Sequence, residues 1–433
     1  MNRSALKTVI LEQENIVMMT SDWIKRNKFD EISSRHNEPF ISIISGIRRC
    51  GKSTLLFQLK NIFDGYYLNF DDDRLVGFTV EDFQCVDEIF HELYGEKSVY
   101  FFDEIQNIDQ WERFVRRLHQ SNKKVYITGS NARLLSKELG THLTGRYVEN
   151  RIYPFSFSEY LDYKNMSYNS TSFFLTKEKS TLMRAFNEYF TSGGMPEYLQ
   201  TNNPMYIKSL YESILYRDIL VRYHIDNEKA MKELFLFAFS NIGKPVSFNK
   251  IKNMLALKST TTIKNYFDYF ENNFVVFLLS KYSHSLKKNI YANKKLYVVD
   301  ISFSNILGFR STDDHGRFLE NIVFVELLRH GEDIYYYQEK NECDFIVKKG
   351  TQVLHALQVC YELNERNKDR EFNGLLDAMK AFHLKSGYIL TYADEDQVTI
   401  DELNIIIMPV WKFCLTYFNI TQTFTDSNEL FFS

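Results

Sequence analysis

The feature that most constrains this chain is a short apolar strand that runs directly into a glycine-rich loop containing a lysine. Residues 41–45 are rich in isoleucine, and the next residues read Gly46-x-x-x-x-Gly51-Lys52-Ser53, followed by a helix-like run. The two glycines let successive backbone N–H groups turn towards one anion, and the following helix adds the positive end of its dipole. The sequence therefore predicts the phosphate-binding loop of a P-loop NTPase.

The residue types in this loop predict separate roles. Lys52 is expected to reach the β- and γ-phosphates of a nucleotide, and the Ser53 hydroxyl is expected to bind Mg²⁺. The predicted nucleotide-binding residues also include the loop residues Arg49 and Cys50. The predicted ligands are thus a nucleotide and Mg²⁺.

A second apolar strand ends in two acidic residues. The stretch 98–102 is apolar and is followed by Asp103 and Glu104. Phosphoryl transfer depends on positioning and charge neutralisation more than on covalent help. Asp103 is therefore expected to hold Mg²⁺, and Glu104 is expected to polarise the attacking water as a general base.

Polar residues also follow the predicted strand at 124–129. Ser130 and Asn131 would lie at the carboxyl end of a parallel sheet, where ligands bind. Either side chain is a candidate for contact with the γ-phosphate or the water, and a plain turn is an open alternative.

An arginine is expected to complete the site from a neighbouring subunit. Arg146 precedes the last predicted strand of the sheet and is our candidate arginine finger. Arg133, Arg151 and Arg217 compete for this role, and an arginine that holds a surface carboxylate is the simpler alternative.

Composition bounds the class of protein. The 433 residues suggest about three domains. The net charge of −4 argues against a uniformly basic nucleic-acid coat, although a local basic face is compatible with it. The five cysteines are scattered and lack a C-x-x-C spacing, which disfavours a zinc site and a disulfide framework. With no long apolar run, the sequence predicts a soluble, cytoplasmic protein that does not bind membranes.

Strand and helix patterns divide the chain into predicted regions. Residues 1–40 form a lead-in with one amphipathic helix around 18–28, and residues 41–156 form an α/β core with a parallel sheet. The expected core strands are 41–45, 65–70, 98–102, 124–129 and 151–155. Residues 157–227 are predicted to form a helical lid.

The second half of the chain predicts two further regions. Residues 228–284 have the pattern of elements of a winged-helix segment, with three predicted helices and then a strand at 274–280. Lys264 and Asn265 lie on its last helix, so contact with duplex DNA is possible. Asp268 and Glu271 lie close by, and winged helices also serve as packing modules, which is the alternative. Residues 285–433 mix strands and helices as a third, α/β domain.

Motifs spread over nearly the whole chain resemble those of the prokaryotic AAA-type ATPases whose C-terminal half is an uncharacterised conserved domain. The resemblance rests on these stretches: Gly-Ile-Arg-Arg-Cys-Gly-Lys-Ser, Phe-Phe-Asp-Glu-Ile-Gln, Thr-Gly-Ser-Asn, Leu-Thr-Gly-Arg-Tyr, Tyr-Pro-Phe-Ser-Phe-Ser-Glu-Tyr, Gly-Gly-Met-Pro-Glu-Tyr and Tyr-Arg-Asp-Ile. It implies an AAA+ core with a helical lid, ATP rather than GTP as ligand, and Thr54 as a further nucleotide contact. It also implies a C-terminal fold similar to restriction-endonuclease-like nucleases.

The nuclease-like resemblance meets a departure in the motif. Such a site needs a helix Glu, a strand Asp and then Glu-x-Lys on the next strand. The chain supplies Glu320 and Asp344, but Gln358 replaces the Glu of Glu-x-Lys and Cys360 replaces its Lys. The replacements remove one anionic ligand and the lysine together, so the site is expected to be inactive in hydrolysis.

These patterns predict an Mg²⁺-dependent ATPase that couples nucleotide state to rearrangement of C-terminal DNA- or protein-binding domains. The alternative is a nucleotide-gated binding module with negligible turnover. An ATP-dependent DNA nuclease is the least favoured reading. Double-stranded DNA or a protein is a possible partner, and a homo-oligomer is plausible because AAA-type sites often use a neighbour's arginine.

Overall fold

The structure, a computed structural model, describes residues 1–19, 23–131, 145–283, 285–309 and 314–423. The chain forms two compact units. Unit 1 comprises residues 1–153 and 272–274, and unit 2 comprises residues 154–271 and 275–433.

Unit 1 is built on a five-stranded parallel sheet with the order β2-β3-β4-β1-β5. The strands are β1 (Ile41–Ser45), β2 (Tyr66–Asn69), β3 (Val99–Asp103), β4 (Lys124–Gly129) and β5 (Tyr147–Arg151). Parallel strands connected by helices end at one common edge, where α/β proteins bind ligands. The predicted P-loop fold of the core is confirmed, because the loop begins directly after β1.

The helices of unit 1 pack on this sheet through apolar faces. They are α1 (Arg3–Met19), α2 (Lys28–Ser34), α3 (Lys52–Ile62), α4 (Phe83–Tyr94) and α5 (Trp111–Gln120). One core cluster joins α1, α4 and α5 to the strands, and its members include Leu6, Ile43, Phe90, Phe102 and Phe114. The sheet therefore rests on a rigid apolar layer that fixes the strand ends.

Two predicted elements of unit 1 were wrong in position. The last strand is Tyr147–Arg151, not 151–155, because an edge strand does not need the apolar run that attracted the prediction, and Pro154 follows it. The helix predicted around 18–28 is replaced by α1 and α2, and residues 23–27 between them are not helical.

The first part of unit 2 is helical. The helices are α6 (Phe157–Tyr163), α7 (Thr176–Ser192), α8 (Pro196–Thr201), α9 (Pro204–Ser213), a π-helical segment (Ile214–Val221), α10 (Glu228–Ser240), α11 (Phe248–Met254) and α12 (Thr260–Asn272). Throughout the described ranges, we find no helix with both the length and the apolar character needed to cross a lipid bilayer.

Unit 2 also contains two sheets. A three-stranded antiparallel sheet has the order β6-β8-β7, with β6 (Pro245–Val246), β7 (Val276–Leu279) and β8 (Lys294–Val298). A six-stranded mixed sheet has the order β13-β14-β12-β11-β10-β9. Its strands are β9 (Asp333–Gln338), β10 (Glu342–Lys349), β11 (Gln352–Val359), β12 (Ser386–Thr391), β13 (Asp396–Ile400) and β14 (Leu403–Pro409).

The remaining helices surround these sheets. They are α13 (Leu286–Tyr291), α14 (Ile301–Leu307), α15 (His315–Arg329), α16 (Lys368–Phe382) and α17 (Val410–Thr423). Ten consecutive residues of α15, Phe318–Leu327, are buried, so this helix runs through the interior of the unit. Its buried Glu320 and Glu326 therefore require partners inside the protein.

Candidate functional site

The glycine-rich loop leaves β1 through a contact that only glycine can make. Gly46 has φ 153°, and a Cβ atom there would lie 2.1 Å from the carbonyl oxygen of Ile152. The Ile152 N–H in turn donates to the Ser45 carbonyl at 2.7 Å. The loop is therefore held against the end of β5, at the carboxyl edge of the sheet.

The second glycine lies against a buried arginine from the lead-in. Gly51 has φ 98°, and a Cβ atom there would lie 2.7 Å from Arg26 Nη1. The Arg26 guanidinium donates to the carbonyls of Cys50 at 2.6 Å and Tyr153 at 2.7 Å. Because Arg26 holds the Cys50 carbonyl on the outer side of the loop, it favours the conformation in which the loop's N–H groups face an anion.

Lys52 begins α3 and is almost completely buried. Its ammonium lies 3.3 Å from Glu104 Oε1 and donates to the Ile47 carbonyl at 3.2 Å. Burial is the largest effect and opposes the charge of Lys52, but Glu104, Cys50 and Asp103 together outweigh it, and the pKa of Lys52 is raised. The lysine is therefore charged at neutral pH and is held by an acid of the same site.

The Asp103 carboxylate contacts hydroxyl groups on both neighbouring strands. Thr128 on β4 donates to Asp103 Oδ1, and Tyr67 on β2 lies 3.3 Å from Oδ2. The Ser53 hydroxyl also interacts with this carboxylate. Burial and the Glu104 charge raise the pKa of Asp103, and the Thr128 and Ser53 hydroxyls and Lys52 offset only part of this rise. The carboxylate is thus fixed in orientation on two sides.

Glu104 has an unusual backbone conformation. Its φ of 50° lies in the left-handed region, which non-glycine residues rarely adopt without a functional reason. The Thr128 hydroxyl accepts from the Glu104 N–H at 2.8 Å, and the Gln106 amide donates to the Glu104 carboxylate. Burial raises the pKa of Glu104, but Lys52 and Gln106 more than offset this, so the pKa is lowered and the group is ionised.

The donor set suits a magnesium ion bound with a nucleotide. Ser53 and Asp103 bring a hydroxyl and a carboxylate side by side at the start of α3, and Mg²⁺ binds oxygen ligands of this kind together with phosphate oxygens. The residues present therefore fit the metal that the loop implies.

The other predicted nucleotide contacts lie in the same loop or at the end of β4. Arg49 is exposed, with φ 67°, and Cys50 is buried, where burial raises the pKa of its thiol. Thr54 follows Ser53 in the first turn of α3. Ser130 is 2% exposed, and among the described residues its Oγ atom finds no hydrogen-bond partner. The Asn131 amide donates to Asn273 Oδ1 at 3.1 Å, and both residues belong to unit 1.

Arg146 lies at the opposite edge of the sheet from the loop. It precedes β5, its carbonyl accepts from Ile41 at the start of β1, and its side chain is exposed. Arg151 is at the loop edge, paired with Ser45 in the sheet register, and its side chain contacts Glu149. Arg133 lies outside the described residues, and Arg217 belongs to the π-helical segment of unit 2.

The residues predicted for the C-terminal centre also come together, apart from the loop site. Glu320 on α15 and Asp344 on β10 contact one ammonium group, and Gln358 on β11 accepts from the Asp344 N–H at 3.2 Å. Cys360 is buried, and burial raises the pKa of its thiol. The lysine that is missing from the motif is thus replaced in space by a lysine of another element.

Three residues of the loop site were missed as functional residues. The sequence did contain a signal for Thr128 and Tyr67. Both are polar residues on strands next to β3, and side chains on neighbouring parallel strands meet near their carboxyl ends. Arg26 carried none, since the path of the lead-in cannot be read from residue spacing. Its role appears only when Cys50 and Tyr153 are placed around it.

Comparisons with known proteins agree with this geometry. A family described as "AAA domain" matches residues 38–161, and two families described as domains of unknown function, DUF8612 and DUF4143, match residues 183–313 and 315–413. An uncharacterised protein of Methanocaldococcus jannaschii is 37% identical over 399 residues, which cover 87% of this chain and 88% of that protein. An uncharacterised protein of Haemophilus influenzae is 31% identical over 408 residues, or 89% and 98% of the two chains.

A solved structure was also found among the similar folds. The Walker-type ATPase of Pyrococcus abyssi is 15% identical, with a TM-score of 0.41, and the match covers 66% of this chain and 96% of that one.

Proposed function

This chain belongs to the family of its archaeal and bacterial relatives and carries an AAA domain, and on that premise we propose that it is an Mg²⁺-dependent ATPase. The observation that carries the proposal is the exchangeable ion pair between Lys52 and Glu104, 3.3 Å apart in a glycine-rich loop site. A triphosphate is a stronger anionic partner for the Lys52 ammonium than one carboxylate is. Binding of ATP would therefore release Glu104.

The released carboxylate has the properties of a general base. Its lowered pKa keeps it ionised at neutral pH, and its N–H is fixed by Thr128. Glu104 accepts a proton from water as the water oxygen bonds to the γ-phosphorus and the bond to the bridging oxygen breaks. Ser53 and Asp103 would hold Mg²⁺, which would supply charge neutralisation at the phosphates. The buried Ser130 hydroxyl is a further candidate contact to the γ-phosphate.

The test separates binding from chemistry. Wild-type protein is expected to release phosphate from ATP in the presence of Mg²⁺, whereas Glu104→Gln is expected to retain ATP binding and lose turnover by at least about 100-fold. Glu112→Gln, a buried glutamate on α5, is the matched control and should leave turnover unchanged. Equal turnover in wild type and Glu104→Gln would contradict the proposal.

A nucleotide-gated switch with negligible turnover is the second candidate, and one observation favours it. The Glu104 carboxylate is engaged by both Lys52 and Gln106. If Gln106 retains the carboxylate when ATP is bound, the water is not activated. Tight ATP binding by wild type, without phosphate release and with or without DNA, would select this candidate.

We further propose that the α11–α12 region is a winged-helix segment that binds the DNA backbone. Residues 244–267 contain five lysines and no acidic residue, in a chain of net charge −4. Lys250, Lys258 and Lys264 are exposed, and α10, β6, α11, α12, β7 and β8 follow in the order of a winged helix, with the short helix α13 inserted between β7 and β8. Exposed lysines suit phosphate contact, and the nearest acid in the sequence is Asp268, four residues after Lys264 on α12.

Salt dependence tests the DNA proposal. Binding to duplex DNA should weaken as salt rises, and the triple variant Lys250→Ala/Lys258→Ala/Lys264→Ala should show a shallower salt slope, by about three contacts. The half-buried Lys7 and the exposed Lys25 and Lys380 lie outside this region, and their triple alanine variant is the control. Equal slopes in the two triple variants would contradict the proposal.

Arg146 is proposed to act on the nucleotide of a neighbouring copy. Its exposed position at the far edge of the sheet excludes contact with the loop of its own chain. A nucleotide that Arg146 contacts would therefore be bound by a second chain. Turnover per chain should then rise with protein concentration, and Arg146→Ala should remove this rise. Turnover that is independent of concentration in wild type would contradict the assignment.

A further inference from the structure

A lysine ammonium fills the acidic centre of unit 2. Lys295 on β8 is 2% exposed. Its Nζ atom lies 3.1 Å from Glu320 Oε1, 2.8 Å from Asp344 Oδ1 and 2.7 Å from Glu342 Oε1. The lysine thus joins the small antiparallel sheet to α15 and to β10.

The hydrogen-bonding capacity of the centre is used by the protein itself. An ammonium has three N–H donors, and three carboxylates lie within reach of this one. The second oxygen of Asp344 accepts from the Val359 N–H at 2.9 Å, and Tyr297 donates to Glu320 Oε1 at 2.5 Å. A divalent cation would have to displace this buried charge.

Gln358 is also turned away from cation binding. Its Oε1 atom accepts from the Asp344 N–H at 3.2 Å, and its Nε2 atom donates to Glu371 Oε2 at 2.6 Å. Within the described ranges, no group of three or more His, Cys, Asp or Glu residues is arranged to hold a metal ion. The magnesium centre implied by the nuclease-like resemblance therefore does not fit the residues present.

Removal of the ammonium would change this balance. The buried Glu320 and Asp344 would be left with no cation between them, and burial of unpaired carboxylates is costly. Together with Glu342 they offer the hard oxygen ligands that Mg²⁺ and Mn²⁺ prefer. The three carboxylates are thus paired with a cation that the chain itself supplies, the Lys295 ammonium.

We propose that Lys295 is a built-in counter-ion that lies where a divalent cation would otherwise be needed between Glu320, Asp344 and Glu342, so that this centre is closed to metal while the lysine is present and is joined to the β6-β8-β7 sheet. The probe is Mn²⁺ without nucleotide, and free Mn²⁺ is followed by electron paramagnetic resonance. Lys295→Ala is expected to bind one more Mn²⁺ per chain than wild type. The double variant Lys295→Ala/Asp344→Asn should return to the wild-type value.

Matched controls keep the test decisive. Lys380→Ala breaks an exposed pair with Asp401 and should bind no extra Mn²⁺. A folded Lys295→Ala variant without extra Mn²⁺ would overturn the proposal. If that variant does not fold, wild type is compared with Asp344→Asn. Equal Mn²⁺ uptake supports the closed centre, and the loss of one equivalent in Asp344→Asn overturns it. Any Mn²⁺ at the nucleotide loop is common to all variants and cancels in each comparison.

Discussion

At the scale of single residues, the loop site depends on Gly46 having no side chain. Gly46 combines a φ of 153° with a carbonyl oxygen 2.1 Å from where its Cβ would lie. The loop cannot move away from Ile152 without losing the bond from its N–H to Ser45. The position of the phosphate loop is therefore set by β5 as well as by β1.

Gly46→Ala is predicted to distort the loop and to lower ATP affinity at least about tenfold, with a loss of about 1–3 kcal/mol in the free energy of unfolding. Binding is measured by equilibrium titration and stability by urea denaturation. Gly77→Ala is the matched control, because Gly77 also has positive φ, of 85°, but has open space around it. Equal losses of ATP affinity in both variants would show that the contact with Ile152 is unimportant.

Thr128 is predicted to act by positioning both acids. Its hydroxyl donates to Asp103 and accepts from the Glu104 N–H, and valine can do neither. Thr128→Val should lower ATP turnover by about 10- to 100-fold and raise the Mg²⁺ concentration needed for half-maximal rate. Thr128→Ser keeps the hydroxyl and should restore most of both values. Failure of the serine variant to do so would point to a packing role instead.

At the scale of elements, apolar patterns predicted four strands of the unit 1 sheet, including the edge strand β2, and misplaced the other edge strand, β5. Strands β1, β3 and β4 were found within one residue because their sequences are almost continuously apolar. Strand β5 has polar positions and was placed four residues too late, on the apolar stretch that follows it. Helix α1 was missed as well, although its buried Leu6, Val9 and Ile10 follow helical spacing.

Motif spacing predicted the acids and the lysine of the loop site, but not the contacts that orient them. Lys52, Asp103 and Glu104 were identified because their chemistry is tied to a local pattern. The contribution of Lys295 was not, because 25 residues separate it from Glu320 and only the pairing of three elements brings them together. Long-range ion pairs leave no local signal in a single sequence.

The buried ion pairs of Lys295 with Glu320 and Asp344, which connect β8, α15 and β10, are predicted to make stability depend on pH. Burial and the Asp344 charge raise the pKa of Glu320 to about 7, above its ordinary value of 4.5. Between pH 4.5 and about pH 7, the native state therefore binds more protons at Glu320 than the unfolded state does. The free energy of unfolding should then fall as pH rises from about 4.5 through about 7. Urea denaturation at several pH values should show that Glu320→Gln removes this part of the slope. An unchanged slope in the variant would contradict the assignment.

At the scale of the whole molecule, the chain has two units with separate buried charge centres. Unit 1 holds the loop site with the Lys52–Glu104 pair, and unit 2 holds the pair of Lys295 and Asp344. The predicted domain boundaries, the helical lid and the coupling of nucleotide state to the C-terminal half stay predictions.

The most direct measurement is isothermal titration of Mg·ATP into the intact chain and into Lys52→Ala. The account predicts one ATP bound per wild-type chain and at least about tenfold weaker binding by Lys52→Ala. Lys60→Ala, on the same helix α3 and paired with Glu14, should bind as wild type does. No uptake of Mg·ATP by wild type, or equal affinity in wild type and Lys52→Ala, would contradict the account.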